Sequence, residues 1–363
     1  MKKTTRRVIS SITTLAIAMS FGTVNALEAY KAEEYEQTVV KLNYERIDEL
    51  SDGGKIYIYC IDGVEHKFPV PPEGFNPLAA TDEQLNTYGF PARPDEESSK
   101  DYEYWVEIMS SYKSTPVPEI EQVIGNNECE DSEIVPYSDS ISLLGAGYSA
   151  VTNSTSPFYT QVQGDFVQPT ITAVSGTCRN TFMVGLGPLY YQSFSPSVSA
   201  GTMCEGKGQA YAYYECFGTN NKSESLRITS VPVNPGDKVH VYVAYQKANN
   251  AFNYYIVNTT TGKQTSNTIT YSDSSYYPGK GVSWYVGRQK KSDGTLYNLG
   301  KFTTVQFTNC QAMLNTSTTW TNLGNLSWTS KYHMCNDTVS APAATPSNII
   351  NNNQFNCSWN AYN

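Results

Sequence analysis

Apolar and polar residues alternate along short stretches of this chain, and the stretches are separated by clusters of Gly, Pro, Asn, Asp and Ser. That period of two predicts β-strands in which one face is buried and the other is not. KIYIYCI at 55–61 alternates in this way and runs into a turn at Asp62-Gly63. In VHVYVAY, Val239, Val241 and Val243 share one face while His240 and Tyr242 share the other. YAYYECF at 211–217 puts Tyr211, Tyr213 and Glu215 on one face and Ala212, Tyr214 and Cys216 opposite. Asn234-Pro235-Gly236-Asp237 supplies turn chemistry, with Pro fixing φ and Gly free to take φ > 0, so a strand is expected directly after it. From about Tyr137 onward such runs are embedded in Ser, Thr, Asn, Tyr and Gly, the pattern of an antiparallel sandwich.

The first third reads differently. Residues 27–50 are charged with scattered apolar positions, suited to one short helix. Thr81-Asp82-Glu83-Gln84 looks like a helix start, and the surrounding prolines favour extended segments. A Pro/Glu-rich stretch at 114–136 reads as linker. At the very start, Lys2, Lys3, Arg6 and Arg7 precede an apolar run from Val8 to Phe21 and a small-residue site at Val24-Asn25-Ala26, which together read as an export signal. The expected organisation is a signal at 1–26, an acidic leader at 27–113, a linker at 114–136 and a β-sandwich at 137–363.

Composition sharpens this picture in two places. The net charge of −9 is uneven: residues 27–135 carry 25 acidic and 8 basic residues, a balance of −17, whereas residues 136–363 carry 9 acidic and 13 basic, a balance of +4. The leader is therefore either a cover drawn onto the basic domain or a solvated tether. Eight cysteines in an exported chain favour disulfides, with Cys60 and Cys129 before the sandwich and Cys178, Cys204, Cys216, Cys310, Cys335 and Cys357 inside it; their pairing is not legible. No zinc, phosphate-loop, calcium-loop or His-Glu-x-x-His spacing occurs, so no metal or cofactor is expected. No later segment approaches the roughly 20 apolar residues of a membrane span. A secreted or surface location follows, and no nucleic-acid partner is expected.

The sandwich resembles the eqolisins, the glutamic endopeptidases of peptidase family A4. YAYYECF and VSWYVGR (282–288) are similar to that family's paired signature strands. In order, QGDFVQPTI (163–171), TFMVGLGP (181–188), VNPGDKVHVYV (233–243), IVNTTTGKQTSNTI (256–269), LGKFTTVQFTNCQA (299–312) and the tail through FNCSWNAY (355–362) are similar to further family segments. The resemblance implies a concanavalin-like sandwich of two packed, curved sheets. It also implies a catalytic Gln and Glu that hold an attacking water.

Here those two positions read Ser199 and Ser283. A serine hydroxyl offers no proton acceptor comparable to a carboxylate, a loss of roughly 10²–10⁴ in rate. It replaces an aimed amide donor poorly too, at a cost of about 10²–10³. Other departures are Gly187 for the family's Asp and Cys216 for a Trp. Glu215, Glu205 and Asp165 are the carboxylates nearest the mapped motifs, and Glu215 is either a cleft residue or a hydrogen-bonded structural one. Gln192 is a candidate for a shifted Gln. His240 and His333 lack triad context, and His66 reads as solvated. Three functions stay open: a pseudopeptidase binding a peptide, protein or glycan at Tyr211, Tyr213, Glu215, Trp284 and Tyr285; a hydrolase using Glu215; and a structural module at the cell surface.

Overall fold

The computed structural model describes residues 39–360, apart from 62, 98, 124–138, 143, 153–156, 173–177, 188–196, 218–222, 271–278, 290, 292–294 and 336–341. The signal expected at 1–26, Cys129, most of the linker and Gln192 lie outside the described residues. From Thr38 onward the chain forms one compact unit.

That unit is a β-sandwich. The front sheet runs, strand beside antiparallel strand, Ile120–Val123, Ser223–Val233, Ala210–Phe217, Ser197–Glu205, Arg179–Leu186, Gly281–Gly287, Gly145–Val151 and Thr329–Met334. The back sheet runs Val64–Val70, Lys263–Thr270, Ala251–Asn258, Lys238–Gln246, Tyr159–Val167, Val305–Leu314 and Phe355–Trp359. The alternation sorts the side chains as the sequence predicts. Val239, Val241 and Val243 of the back sheet and Phe182, Val184, Ala212 and Tyr214 of the front sheet enter a common core. Aromatic pairs tie that core together, including Phe166–Phe182 at 6.1 Å and Tyr214–Tyr254 at 4.5 Å between ring centroids. The Asn234–Asp237 turn forms as its residues dictate: Gly236 takes φ 90°, and Asp237 Oδ2 accepts from Asn234 N at 2.8 Å.

The acidic N-terminal region is built into this unit. Lys55–Ile61 pairs with Val64–Val70, which extends the back sheet at its Lys263–Thr270 edge, and Ile120–Val123 extends the front sheet. Helix α1 (Asp82–Thr87) starts at Thr81 with a reciprocal capping box to Gln84. Helix α2 (Lys100–Ser110), which the proline-rich reading did not anticipate, starts at Ser99. Its Trp105, Ile108 and Met109, spaced three and four apart, pack with Tyr242, Ala244, Tyr255 and Val257 on the outer face of the back sheet. Charge plays a small part in this docking: among the described residues, the ion pairs linking the region to the sandwich are Arg227–Glu121 and the His66–Glu224 contact.

Two expectations need correction. None of the seven described cysteines is in a disulfide, and six of them are buried, so the predicted disulfides are not formed among them. His66 is not solvated: it is fully buried, with Nε2 2.7 Å from Glu224 Oε2 and Nδ1 2.6 Å from the Tyr214 hydroxyl. The period-two pattern shows only that His66 alternates with its neighbours, and the pairing of its strand with the sandwich edge decides the rest. No helix among the described residues is long and apolar enough to cross a membrane.

Candidate functional site

Residues directly opposite one another in antiparallel strands point to the same face, and the front sheet sets one such row across seven strands. It reads Ser330, Ser149, Ser283, Gly185, Ser199, Glu215, Ser225. The row lies on the face opposite the sandwich core. Gly185 at its centre has no side chain, and the two serines fill that space: a Cβ there would stand 3.0 Å from Ser283 Oγ and closer still to Ser199 Oγ. The positions that the family resemblance equates with the catalytic Gln and Glu thus converge over one glycine. Ser283 Oγ donates to Gly187 O at 3.0 Å, and Ser149 Oγ donates to Val282 O at 3.1 Å.

Glu215 is the one ionisable member of the row, and it is 8% exposed. Its Oε1 accepts from the Tyr213 hydroxyl at 2.6 Å and from Gln289 Nε2 at 2.8 Å, while Gln289 also bonds the Tyr213 hydroxyl. Gln289 Oε1 in turn accepts from Arg179 Nη1 at 2.5 Å. Burial pushes the Glu215 carboxyl above the usual carboxylate range, against the opposing pull of the Tyr213 hydrogen bond and the Arg179 charge. Burial, with the nearby Glu215 charge, likewise raises the Tyr213 and Tyr285 hydroxyls. Both rings lie on the row's face and pack with Met183, Met203 and Val123.

Of the residues proposed from sequence, Ser199, Ser283, Glu215, Tyr213 and Tyr285 are brought together. Tyr211 shares their face and lies under the Arg227 guanidinium, 5.5 Å from it. Trp284 does not join them: the alternation that aims Ser283 and Tyr285 outward turns Trp284 into the core, where its Nε1 donates to Gln163 O at 2.9 Å. Glu205 is neutralised by Arg179 at 2.5 Å and Arg227 at 3.3 Å. Asp165 belongs to the other sheet, where Oδ1 takes the Tyr104 hydroxyl at 2.7 Å and His240 Nδ1 at 2.8 Å, and Oδ2 takes Asn309 Nδ2 at 2.7 Å. His240 is therefore committed to holding α2 against the back sheet, and cavities of about 270 Å³ and 630 Å³ flank that tie. His333 alternates with Ser330 and Tyr332 and so points away from the row. No group of three or more His, Cys, Asp or Glu that could hold a metal occurs among the described residues.

Sequence reasoning missed Gln289 and Arg179. Gln289 lies past the end of its strand, where the period of two no longer fixes direction, and Arg179 is the first residue of its own; the one signal was that Gln289 follows the signature strand VSWYVGR directly.

The model of the peptidase A4 family matches residues 145–359, more than half of the chain, and the chain belongs to that family. Among solved structures, it is similar to scytalido-glutamic peptidase with a transition state analog inhibitor, at 15% identity and a TM-score of 0.48 over 61% of this chain and 100% of that one. It is also similar to SCP-B, a member of the eqolisin family in complex with the tripeptide Ala-Ile-His, at 15% identity and a TM-score of 0.47 over the same shares. No curated protein sequence matches.

Proposed function

We propose that this chain is an exported pseudopeptidase, which binds peptide on the outer face of the front sheet and does not cut it. The observation that carries the reading is the convergence of Ser199 and Ser283 over Gly185. By the family resemblance this is where a carboxylate and an amide would hold water, and neither hydroxyl supplies those functions at working pH. Glu215 in the row supplies an oriented polar group, and the partly buried Tyr211 on the same face supplies aromatic surface, the usual furnishings of a binding face. Export is supported by the basic, apolar and small-residue order of residues 2–26.

The test is a gain of function. In the full-length chain, Ser199→Gln/Ser283→Glu is expected to hydrolyse a denatured protein substrate in acid at a rate at least about 10²-fold above wild type. A correctly folded double variant as inert as wild type would count against the assignment of these positions.

One observation favours a second reading. Glu215 and Gln289 are themselves a carboxylate and a carboxamide in direct contact on the same face. A peptidase working through that pair would lose all activity in Glu215→Gln.

A further inference from the structure

The smaller of the two cavities on the outer face of the back sheet, about 270 Å³, lies away from the Ser–Glu row. Strand register builds its floor. His240 is opposite Asp165, Tyr242 is opposite Gln163, and Gln163 is opposite Gln311 on its other side, so the outward residues of three strands stand together while the inward ones enter the core. Helix α2 walls the cavity with Asp101, Tyr104 and Trp105, and Trp320 stands beside it.

The floor is well buried, yet its polar atoms are not all used. Gln163 is 5% and His240 2% exposed. Gln163 donates from Nε2 to Gln311 Oε1 at 2.9 Å, and among the described residues its own Oε1 receives no donor. His240 is tied to Tyr104 and Asp165 through Nδ1 alone. With that nitrogen's hydrogen given to Asp165, Nε2 is an acceptor, and no described residue donates to it. Neither atom is enclosed and orphaned, and both side chains line the cavity, so water or a ligand is the partner left to them. Gln161 Oε1 takes the Tyr242 hydroxyl at 3.0 Å, which leaves its Nε2 as a donor. The Asp101 carboxylate, half-buried in the first turn of α2, has no ion pair or hydrogen bond among the described residues.

We infer that this cavity binds one neutral pyranoside ring, the end of a glycan chain. The inference stands apart from the peptide-binding reading. Other ligand classes match the lining worse. A cation would compete with Arg93, whose guanidinium already lies over the Trp105 ring at 5.3 Å. An anion would face two carboxylates, Asp95 and Asp101, against that one guanidinium. An apolar molecule would cover His240, Gln163 and Asp101 without pairing them. A pyranoside brings hydroxyl donors on its edge to those three acceptors, and C–H groups on its face to Trp105, Trp320 and Tyr242. The volume is just under the roughly 300–1,000 Å³ of drug-sized ligand sites, which suits one ring.

The test is titration of the full-length chain with the methyl glycosides of glucose, galactose, mannose and N-acetylglucosamine, read by saturation transfer to the ligand protons, with cyclohexylmethanol as a ring that carries one hydroxyl. At least one glycoside is expected to bind with a dissociation constant on the order of 1 mM, at least about tenfold tighter than cyclohexylmethanol. Trp320→Ala is expected to weaken that binding about tenfold and Asp101→Asn about fivefold. Trp328→Ala, at a tryptophan that is 70% exposed and outside the cavity, should leave it unchanged. Binding of none of the four glycosides, cyclohexylmethanol binding as tightly as the best of them, or an affinity that survives in both folded cavity variants overturns the site. None of these outcomes bears on the Ser199→Gln/Ser283→Glu experiment.

Discussion

Glu215 is held in place by its neighbours, and its ionisation works against folding. Its folded-state carboxyl titrates above the usual range because burial disfavours the charge. A carboxyl raised in this way favours the folded state below its unfolded pKa of about 4.3, and that contribution is lost as pH rises through the folded value. Glu215→Gln has no proton to lose, so the melting temperature of the variant relative to wild type should increase between pH 4 and pH 7. A difference that is constant with pH would show that Glu215 is not buried as described. The neighbouring positions show what a sequence discloses at this scale. Strand alternation alone placed Tyr213 and Glu215 on one face, and the same rule turns Trp284, offered with them from sequence, into the core. Gln289 was not legible, because it lies beyond the end of its strand, where chain direction depends on tertiary contacts.

Strands and helices of the N-terminal region attach to the sandwich through pairing and burial. His66 shows the cost of that attachment: its strand brings an imidazole into a fully buried position against Glu224, Tyr214 and Asn267. His66→Ala should cost about 3–5 kcal/mol, because Glu224 and the Tyr214 hydroxyl stay buried without it. Glu65→Ala, next in sequence but on an exposed ion pair with Arg46, should change stability by less than about 1 kcal/mol. Chemical denaturation of the two variants decides the matter, and equal small effects would contradict the buried contact. The Lys55–Ile61 strand followed from local pattern, whereas Val39–Leu42 and Arg46–Glu49 are strands where one short helix was expected, and Ile120–Val123 is a strand within the expected linker. Helix α2 and the edge pairings were not legible either, since Ser99 capping and the Trp105 face acquire meaning only against Tyr242 and Tyr255.

Across the whole molecule, the charge contrast between the acidic first third and the basic remainder suggested either a cover or a tether. The described structure shows strands added at two sheet edges and a helix laid on the back face, the side away from the Ser–Glu row. A core shared so widely should melt in a single calorimetric transition, and two separated transitions would show that the regions fold independently. The central claim is that this member of the peptidase A4 family retains the sheet and has lost the chemistry. The most direct measurement is mass-spectrometric detection of cleavage products when the full-length chain is incubated with a denatured protein from about pH 3 to pH 7. The account predicts intact substrate throughout; cleavage by wild type that disappears in Glu215→Gln would contradict it and transfer catalysis to the Glu215–Gln289 pair.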